Sequence, residues 1–145
     1  MKGLLAASRV RYNVSVSSKK RLLEELALLL SEKNSTLDKD TICRTLTDRE
    51  RLGTTGLGNG IALPHGRLNG ISECIAAAIY LKSPLNFDTP DGEPIRLAIA
   101  LLVPADASKQ HLQILAALAE LFDEPKRCEK ILNAKDSSML LEFLS

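Results

Sequence analysis

The stretch that most restricts the fold of this chain is a glycine-rich run at residues 53–66, with the sequence GTTGLGNGIALPHG. It holds five glycines, one proline and one of the two histidines of the chain. Glycine costs about 1 kcal/mol and proline about 3 kcal/mol per position in a helix. The run therefore excludes a packed helix and predicts loop and short strand, with backbone that another molecule can approach closely.

The histidine of this run, His65, stands between a proline and a glycine. Pro64 fixes its own φ and biases Leu63 toward extended backbone. Gly66 adds no bulk on the other side. We expect His65 to be held at a turn tip, where its ring can touch a second molecule.

Length and composition predict one domain over residues 1–145, long enough to bury a sizeable core. The net charge of +1 argues against a nucleic-acid partner, which usually meets a basic face. An aromatic content of 3% argues against a platform for stacking bases. Since no apolar run reaches the 18 or more residues of a membrane span, we expect no membrane insertion.

The three cysteines, Cys43, Cys74 and Cys128, are far apart and form no Cys-x-x-Cys motif. They support neither a disulfide framework nor a zinc site. We interpret them as small apolar side chains in a reducing cytoplasm.

The N-terminal part of the chain is basic, with six Lys or Arg and no acid in residues 1–21. Two interpretations stay open, a solvated N-terminus and a basic arm for an anionic partner. Within it, Val10, Tyr12, Val14 and Val16 alternate with polar residues, which predicts a short strand.

Two helices are predicted before the glycine-rich run. Ser17 or Ser18 caps the first, which reaches about Lys33, and Asp38 caps the second, from about Lys39 to Leu52. The expected apolar stripe of the second helix contains Ile42, Leu46, Arg49 and Leu52 or Gly53. Arg49 on an apolar face either extends its charged end to water or points at an anion near the end of that face.

After the run, residues 74–81 and 95–103 are continuous apolar stretches of a length that suits interior strands, the second stopped by Pro104. Three helices follow. The first is capped by Asp106 or Ser108, carries His111 in its first turn and reaches about Asp123; the others cover about 125–133 and 139–144. This order predicts an α/β or α+β fold with a sheet layered by helices.

The spacing of the residues argues against several kinds of active site. The glycines match neither the phosphate-binding P-loop, which needs Gly-Lys-Ser/Thr, nor the dinucleotide pattern Gly-x-Gly-x-x-Gly. Two histidines without a His-x-x-His or His-Glu-x-x-His motif do not favour a zinc hydrolase. No Gly-x-Ser-x-Gly motif supports a serine hydrolase. We expect no metal and no cofactor.

A histidine that acts directly as a nucleophile remains open, beside the commoner case of a histidine that is structural or merely exposed. An imidazole with a pKa of about 6.5 is largely neutral at neutral pH and has one free ring lone pair. It can accept a phosphoryl group and pass it on through a loose, in-line transition state. Backbone N–H groups near Gly66, the N-terminus of the helix bearing His111, and the Arg49 guanidinium are candidate donors to the phosphoryl oxygens.

The segment 55–67, TGLGNGIALPHGR, closely resembles the active-site segment of the type 2 enzyme IIA domains of the bacterial phosphotransferase system, the mannitol/fructose class. More narrowly it resembles the nitrogen-regulatory enzyme IIA. Residues 16–25 and 48–53 agree as well, as do Pro104–Asp106 and His111–Leu112, so the resemblance covers about residues 10–144.

This resemblance implies that His65 is phosphorylated on Nε2 by the phosphocarrier protein HPr. It implies that His111 lies beside it and supports the phosphoryl group or the ring, with Arg49 close by. The implied fold is an α/β sandwich, a mixed sheet between helices in a single domain, of the phosphotransferase/anion transport-like type.

The resemblance also implies cytoplasmic partners. Sugar-transporting members pass the phosphoryl group to a IIB domain, whereas the nitrogen-type member regulates target proteins through its phosphorylation state. This chain ends at Ser145 without a IIB sequence. The segment that precedes the matching region, residues 1–9, is shorter than is usual for the family. We therefore expect a regulator; a sugar-specific IIA with a separate IIB protein and a binding module that is not phosphorylated remain alternatives.

Overall fold

A computed structural model describes residues 4–33 and 36–144. In chain order the elements are a 3₁₀ turn Ala7–Arg9, β1 Val10–Val14, α1 Lys19–Ser31, α2 Lys39–Leu52, β2 Gly56–Gly58, β3 Ile61–Ala62, β4 His65–Leu68, β5 Ile75–Leu85, β6 Ile95–Pro104, α3 Lys109–Leu121, α4 Pro125–Leu132 and α5 Ser137–Leu144. The described residues form one mixed sheet with helices on both faces.

The two apolar runs predicted as interior strands form the centre of the sheet. β5 and β6 pair antiparallel along most of their length, and β1 joins β5 in parallel. The strand order is β1-β5-β6-β3-β2, with β4 also paired to β6. The predicted strand at residues 10–16 is confirmed but stops at Val14.

Two short strands share one edge of β6 in succession. β3 pairs in parallel with Leu97 and Ala98, and β4 pairs in parallel with the stretch from Leu101 to Pro104. Leu63 and Pro64 lie between them, outside both strands. The Pro64 carbonyl nevertheless accepts from the Leu101 N–H of β6 at 2.9 Å, so the segment stays along this edge until β4 begins at His65.

The alternation of side chains along β5 and β6 divides the core into two layers. On one face α1 and α2 pack on the sheet through Leu22, Leu26, Leu30, Ile42, Leu46, Ala77, Ile79, Ala98, Ala100 and Leu102. On the other face α3, α4 and α5 pack through Leu118, Phe122, Ile131, Leu140, Leu144, Ala76, Ala78, Leu97, Ile99 and Leu101. The predicted arrangement, a mixed sheet between helices, is confirmed.

Much of the glycine-rich run is a tight hairpin. β2 and β3 pair antiparallel around Asn59 and Gly60, which have φ of 56° and 81°. Positive φ at both central residues is what a type I′ turn requires, and Asn-Gly is the pair that best tolerates it. The run is strand and turn, as predicted, and the turn pulls β3 back toward the sheet.

The helix caps follow the polar residues that the sequence places there. The Ser18 hydroxyl accepts from the N–H of Arg21, and the Asp38 carboxylate accepts from the N–H of Asp40. Ser108 accepts from the N–H of His111, whose ring accepts in return from the Ser108 N–H, so α3 begins with a capping box.

The predicted apolar stripe of α2 was wrong at its C-terminal end. Ile42 and Leu46 are buried as expected, but the next buried residue is Glu50, whereas Leu52 is 85% exposed. A spacing of four from Leu46 continues the buried face at Glu50, and this carboxylate is held by Lys19 and Thr55.

The N-terminal segment is packed rather than a solvated stretch or a free arm. Leu4 and Leu5 are buried, and so is Arg9, which donates from Nε to the Ala76 carbonyl (2.9 Å) and from Nη2 to the Leu4 carbonyl (3.2 Å). For Arg9 the structure corrects both interpretations of the basic N-terminus, because this side chain satisfies backbone groups inside the fold, whereas Arg11 and Arg21 are 45% and 58% exposed, as a solvated N-terminus predicts. Lys2 lies outside the described residues.

We expect Arg9→Ala to destabilise the fold by about 2 kcal/mol, since buried carbonyls lose their donors. Arg11→Ala is the matched control. Its side chain is 45% exposed, so the expected change is within about 0.5 kcal/mol. Urea unfolding followed by circular dichroism measures both, and equal effects of the two substitutions would contradict the role given to Arg9.

Candidate functional site

His65 begins strand β4 and lies opposite Leu101 of β6. It is half-buried, so the predicted turn tip is corrected: the residue is a strand residue anchored to the central β6. The residue after it explains why the strand can sit so close to a helix. A side-chain carbon at Gly66 would lie 2.6 Å from Cγ2 of Thr45, so only glycine lets α2 pack directly on β4 here.

The ring of His65 has a defined orientation. Its Nδ1 lies 2.8 Å from the carbonyl oxygen of Leu63. A carbonyl oxygen can only accept, so Nδ1 carries the proton of the neutral ring and donates it. The lone pair is then on Nε2, the nitrogen left free of this bond. The geometry thus selects Nε2 as the nucleophilic atom.

The surroundings of the ring favour its neutral form. Burial lowers the pKa of His65 below its ordinary value of 6.5, and the positive charge of Arg49 lowers it further. The hydrogen bond to Leu63 and the negative charge of Glu50 act in the opposite direction but do not outweigh burial. A histidine with a lowered pKa remains a free base, and so a nucleophile, throughout the neutral range.

Arg49 lies at the last turn of α2, one turn after Thr45, and lines a cavity of about 480 Å³ together with His65. Its Nη1 donates to the carbonyl of Gly53 at 2.8 Å, which fixes the side chain across the end of its own helix. Arg49 thus lines the cavity beside His65 while its bond to Gly53 lies on the exposed surface, and contact with an anion there stays a prediction.

The cavity lies over β4 between α2 and α3. Beyond His65 and Arg49 it is lined by Thr45, Asp48, Leu52, Gly66, Arg67, Val103, Leu112 and Leu115. Two cationic side chains and one acidic side chain thus surround it, together with an apolar rim. The two guanidinium groups suit an anion.

Sequence reasoning missed Arg67 and Leu52 as site residues. Arg67 is two residues after His65 on the same strand, and a period of two puts both side chains on one face. Once β4 is recognised as a strand, this spacing is enough to find it. Leu52 had no such signal, because it was expected in the buried stripe of α2.

His111 lies in the first turn of α3, as predicted, but its ring does not line the cavity beside His65. Its Nδ1 accepts from the Ser108 N–H at 3.2 Å, and its Nε2 is 3.6 Å from a carboxylate oxygen of Glu73. Since Nδ1 accepts, the proton of the neutral ring is on Nε2. Its neighbour Leu112 and the next turn, at Leu115, are the parts of α3 that reach the cavity.

No described helix has the length and apolar character needed to cross a membrane. Within residues 4–33 and 36–144 there is also no cluster of three or more His, Cys, Asp or Glu placed to hold a metal ion.

The site is thus a half-buried imidazole with a free Nε2, beside a cavity lined by two arginines. Comparison with known proteins is specific. The family model for the phosphoenolpyruvate-dependent sugar phosphotransferase system, EIIA 2, matches residues 3–145. The chain belongs to this family, whose members transfer phosphoryl groups through a histidine.

Individual relatives agree with this assignment. A nitrogen regulatory protein of Pseudomonas aeruginosa is 38% identical over 141 residues, 97% of this chain and 92% of the relative. The fructose-specific EIIA component of Haloferax volcanii is 31% identical over 129 residues, 89% of this chain and 84% of the relative. The crystal structure of nitrogen regulatory protein IIA-Ntr from Neisseria meningitidis superposes with a TM-score of 0.90 at 38% identity, covering 98% of this chain and 97% of that one.

We expect Arg49→Gln to raise the pKa of His65 toward 6.5, because a positive charge that disfavours the imidazolium is removed while the ring stays buried. A pH titration of the His65 ring by NMR measures this shift. Arg51→Gln is the control, since Arg51 is 77% exposed, faces Asp48 and does not line the cavity. An unchanged or lower pKa in Arg49→Gln would show that Arg49 does not act on the ring.

Proposed function

We propose that this chain is a phosphocarrier of the nitrogen-type phosphotransferase system, in which Nε2 of His65 accepts a phosphoryl group from an HPr-type protein. The observation that carries the proposal is the hydrogen bond from Nδ1 to the Leu63 carbonyl, which leaves Nε2 with its lone pair. The phosphorylation state of His65 then regulates the binding of partner proteins in the cytoplasm.

The transfer step needs little from the protein beyond position and charge. The lone pair of Nε2 attacks phosphorus in line, a new N–P bond forms, and the bond from phosphorus to the donor breaks with its electron pair leaving on the donor. Nδ1 keeps its proton. Positive charge develops on the ring during attack, and the Leu63 carbonyl stabilises it through the bond it already accepts.

The cations of the cavity are placed to stabilise the charge on the phosphoryl oxygens. Arg49 has one N–H committed to Gly53 and further N–H groups free for an anion. Arg67, on the same strand face as His65, adds a second positive charge. We assign His111 a supporting role on the family resemblance: its ring lies outside the lining of the cavity, and its Nε2–H, now 3.6 Å from Glu73, would have to turn toward an arriving phosphoryl group.

The regulatory part of the proposal is supported by the similarity to nitrogen regulatory proteins along nearly the whole chain. The similarity to a fructose-specific EIIA component supports a second candidate, a sugar-specific IIA that passes the phosphoryl group to a separate IIB protein. The two candidates share the chemistry at His65 and differ in the recipient. Chasing the label from the phosphorylated protein onto a IIB protein separates them.

Incubation with an enzyme I-type protein, an HPr-type protein and labelled phosphoenolpyruvate should give an acid-labile phosphoprotein. We expect His65→Ala to abolish the label, because no other residue at the cavity is a nucleophile of this kind. Labelling of His65→Ala at the wild-type level would refute the assignment. Absence of label in the wild-type protein, together with capture of partners, would favour a binding module that is not phosphorylated.

We expect His111→Ala to slow transfer by about a hundredfold, the usual effect of removing one donor to the reacting group, with His65 still the acceptor. Because His111 also closes the capping box of α3, His111→Gln is the matched variant: glutamine at this position keeps the cap and removes the imidazole. Equal slowing in both variants supports the ring itself. Phosphate mapped to His111, or wild-type rates in both variants, would contradict the supporting role.

A further inference from the structure

A buried acidic side chain outside the cavity is connected to His65 by an unbroken series of contacts. Glu50, in the last turn of α2, has a side chain that is 6% exposed. Its carboxylate is 2.7 Å from the Lys19 ammonium and accepts from both the backbone N–H and the hydroxyl of Thr55. Burial of a charge is costly unless it is paired and hydrogen-bonded, and here both conditions are met.

The contacts continue from Thr55 to the imidazole. The carbonyl of Thr55 accepts from the N–H of Leu63 at 2.9 Å. The carbonyl of Leu63 accepts from Nδ1 of His65 at 2.8 Å. Thr55 and Leu63 are 3% and 2% exposed, so water does not compete along this path.

Leu63 lies with Pro64 between β3 and β4, outside both strands, and Thr55 lies in the loop between α2 and β2. Two hydrogen bonds hold this segment: the Leu63 N–H donates to the Thr55 carbonyl, and the Pro64 carbonyl accepts from the Leu101 N–H of β6, each at 2.9 Å. Thr55 is held in turn by the carboxylate of Glu50, so Glu50 supports the segment from the side that precedes the Leu63 carbonyl.

The Glu50 carboxylate also links three parts of the fold. Lys19, its partner, is the first residue of α1, and the ammonium lies 4.5 Å from the centre of the Phe87 ring and 3.6 Å from Asp88. Glu50 thus joins the start of α1, the end of α2 and the loop that leads into β2.

We infer that Glu50 is a positioning residue for His65: through Thr55 and Leu63 it fixes the carbonyl that keeps the proton on Nδ1 and the lone pair on Nε2. The inference rests on the proposed function, in which Nε2 is the acceptor. Small displacements of a reacting group are expensive, and about 1 Å can cost a hundredfold in rate. Loss of the carboxylate should therefore act on the chemistry rather than on donor binding.

Glu50→Gln tests the inference, because the amide keeps the shape but offers one acceptor oxygen instead of two and presents donors to Thr55 and Lys19. We expect the ¹⁵N shifts of the unphosphorylated His65 ring to move from the Nδ1–H tautomer toward a mixture of both tautomers. We expect the phosphorylation rate at saturating HPr-type donor to fall about tenfold with an unchanged KM for the donor. Glu129→Gln makes the same charge change on the exposed surface of α4 and should match wild type.

Two variants of Thr55 allow the inference to be tested if Glu50→Gln does not fold. Thr55→Val removes the hydroxyl donor and keeps the shape, so we expect the same direction of change with a smaller size. Thr55→Ser keeps both donors and should restore the wild-type ring signals and rate. A folded Glu50→Gln or Thr55→Val protein with wild-type tautomer and wild-type rate overturns the inference.

The measurements separate failure of this inference from failure of the proposed function. The tautomer is observed without any phosphoryl donor, so a shift in Glu50→Gln supports the positioning even in a protein that accepts no phosphate. If His65→Ala is still labelled, the proposed function is wrong, and the positioning of the His65 ring has no role in phosphoryl transfer. If His65→Ala loses the label but the ring signals are unchanged in Glu50→Gln, His65 is still the acceptor and Glu50 does not position it.

Discussion

The hydrogen bond from Nδ1 of His65 to the Leu63 carbonyl is the interaction on which the site depends. An imidazole in water exchanges its proton between two nitrogens, and each tautomer presents a different nucleophile. In this protein a backbone acceptor fixes the tautomer, so the ring needs no rearrangement to react as proposed. The fold around the ring holds the Leu63 carbonyl in place.

Burial and charge act together on the same ring. Partial withdrawal from water and the nearby guanidinium of Arg49 favour the uncharged imidazole, and the same guanidinium suits the anion that the ring is proposed to receive. In the unfolded chain the ring titrates at its ordinary pKa. As pH falls through about 6.5 the unfolded state therefore takes up a proton first, and stability falls until the lower pKa of the folded state is reached.

Sequence signals within a few residues predicted much of this structure. The features that were missed depend on contacts between residues far apart in the chain. Ser18, Asp38 and Ser108 mark helix starts because a cap is decided within three residues, and β5 and β6 follow from continuous apolar runs. The burial of Glu50 and Arg9 was not predictable in this way, since their partners lie up to 67 residues away along the chain. The strand at His65 has no apolar alternation of its own and exists because β6 offers a free edge.

Because β4 pairs with β6, His65 is part of the sheet rather than of a separate loop. The half-buried ring meets solvent at the cavity that its side chain lines. If His65 is the phosphoryl acceptor, as proposed, the protein that delivers the phosphoryl group and the protein that collects it must both bind over this cavity. Donor and recipient would then compete for one surface and bind one after the other.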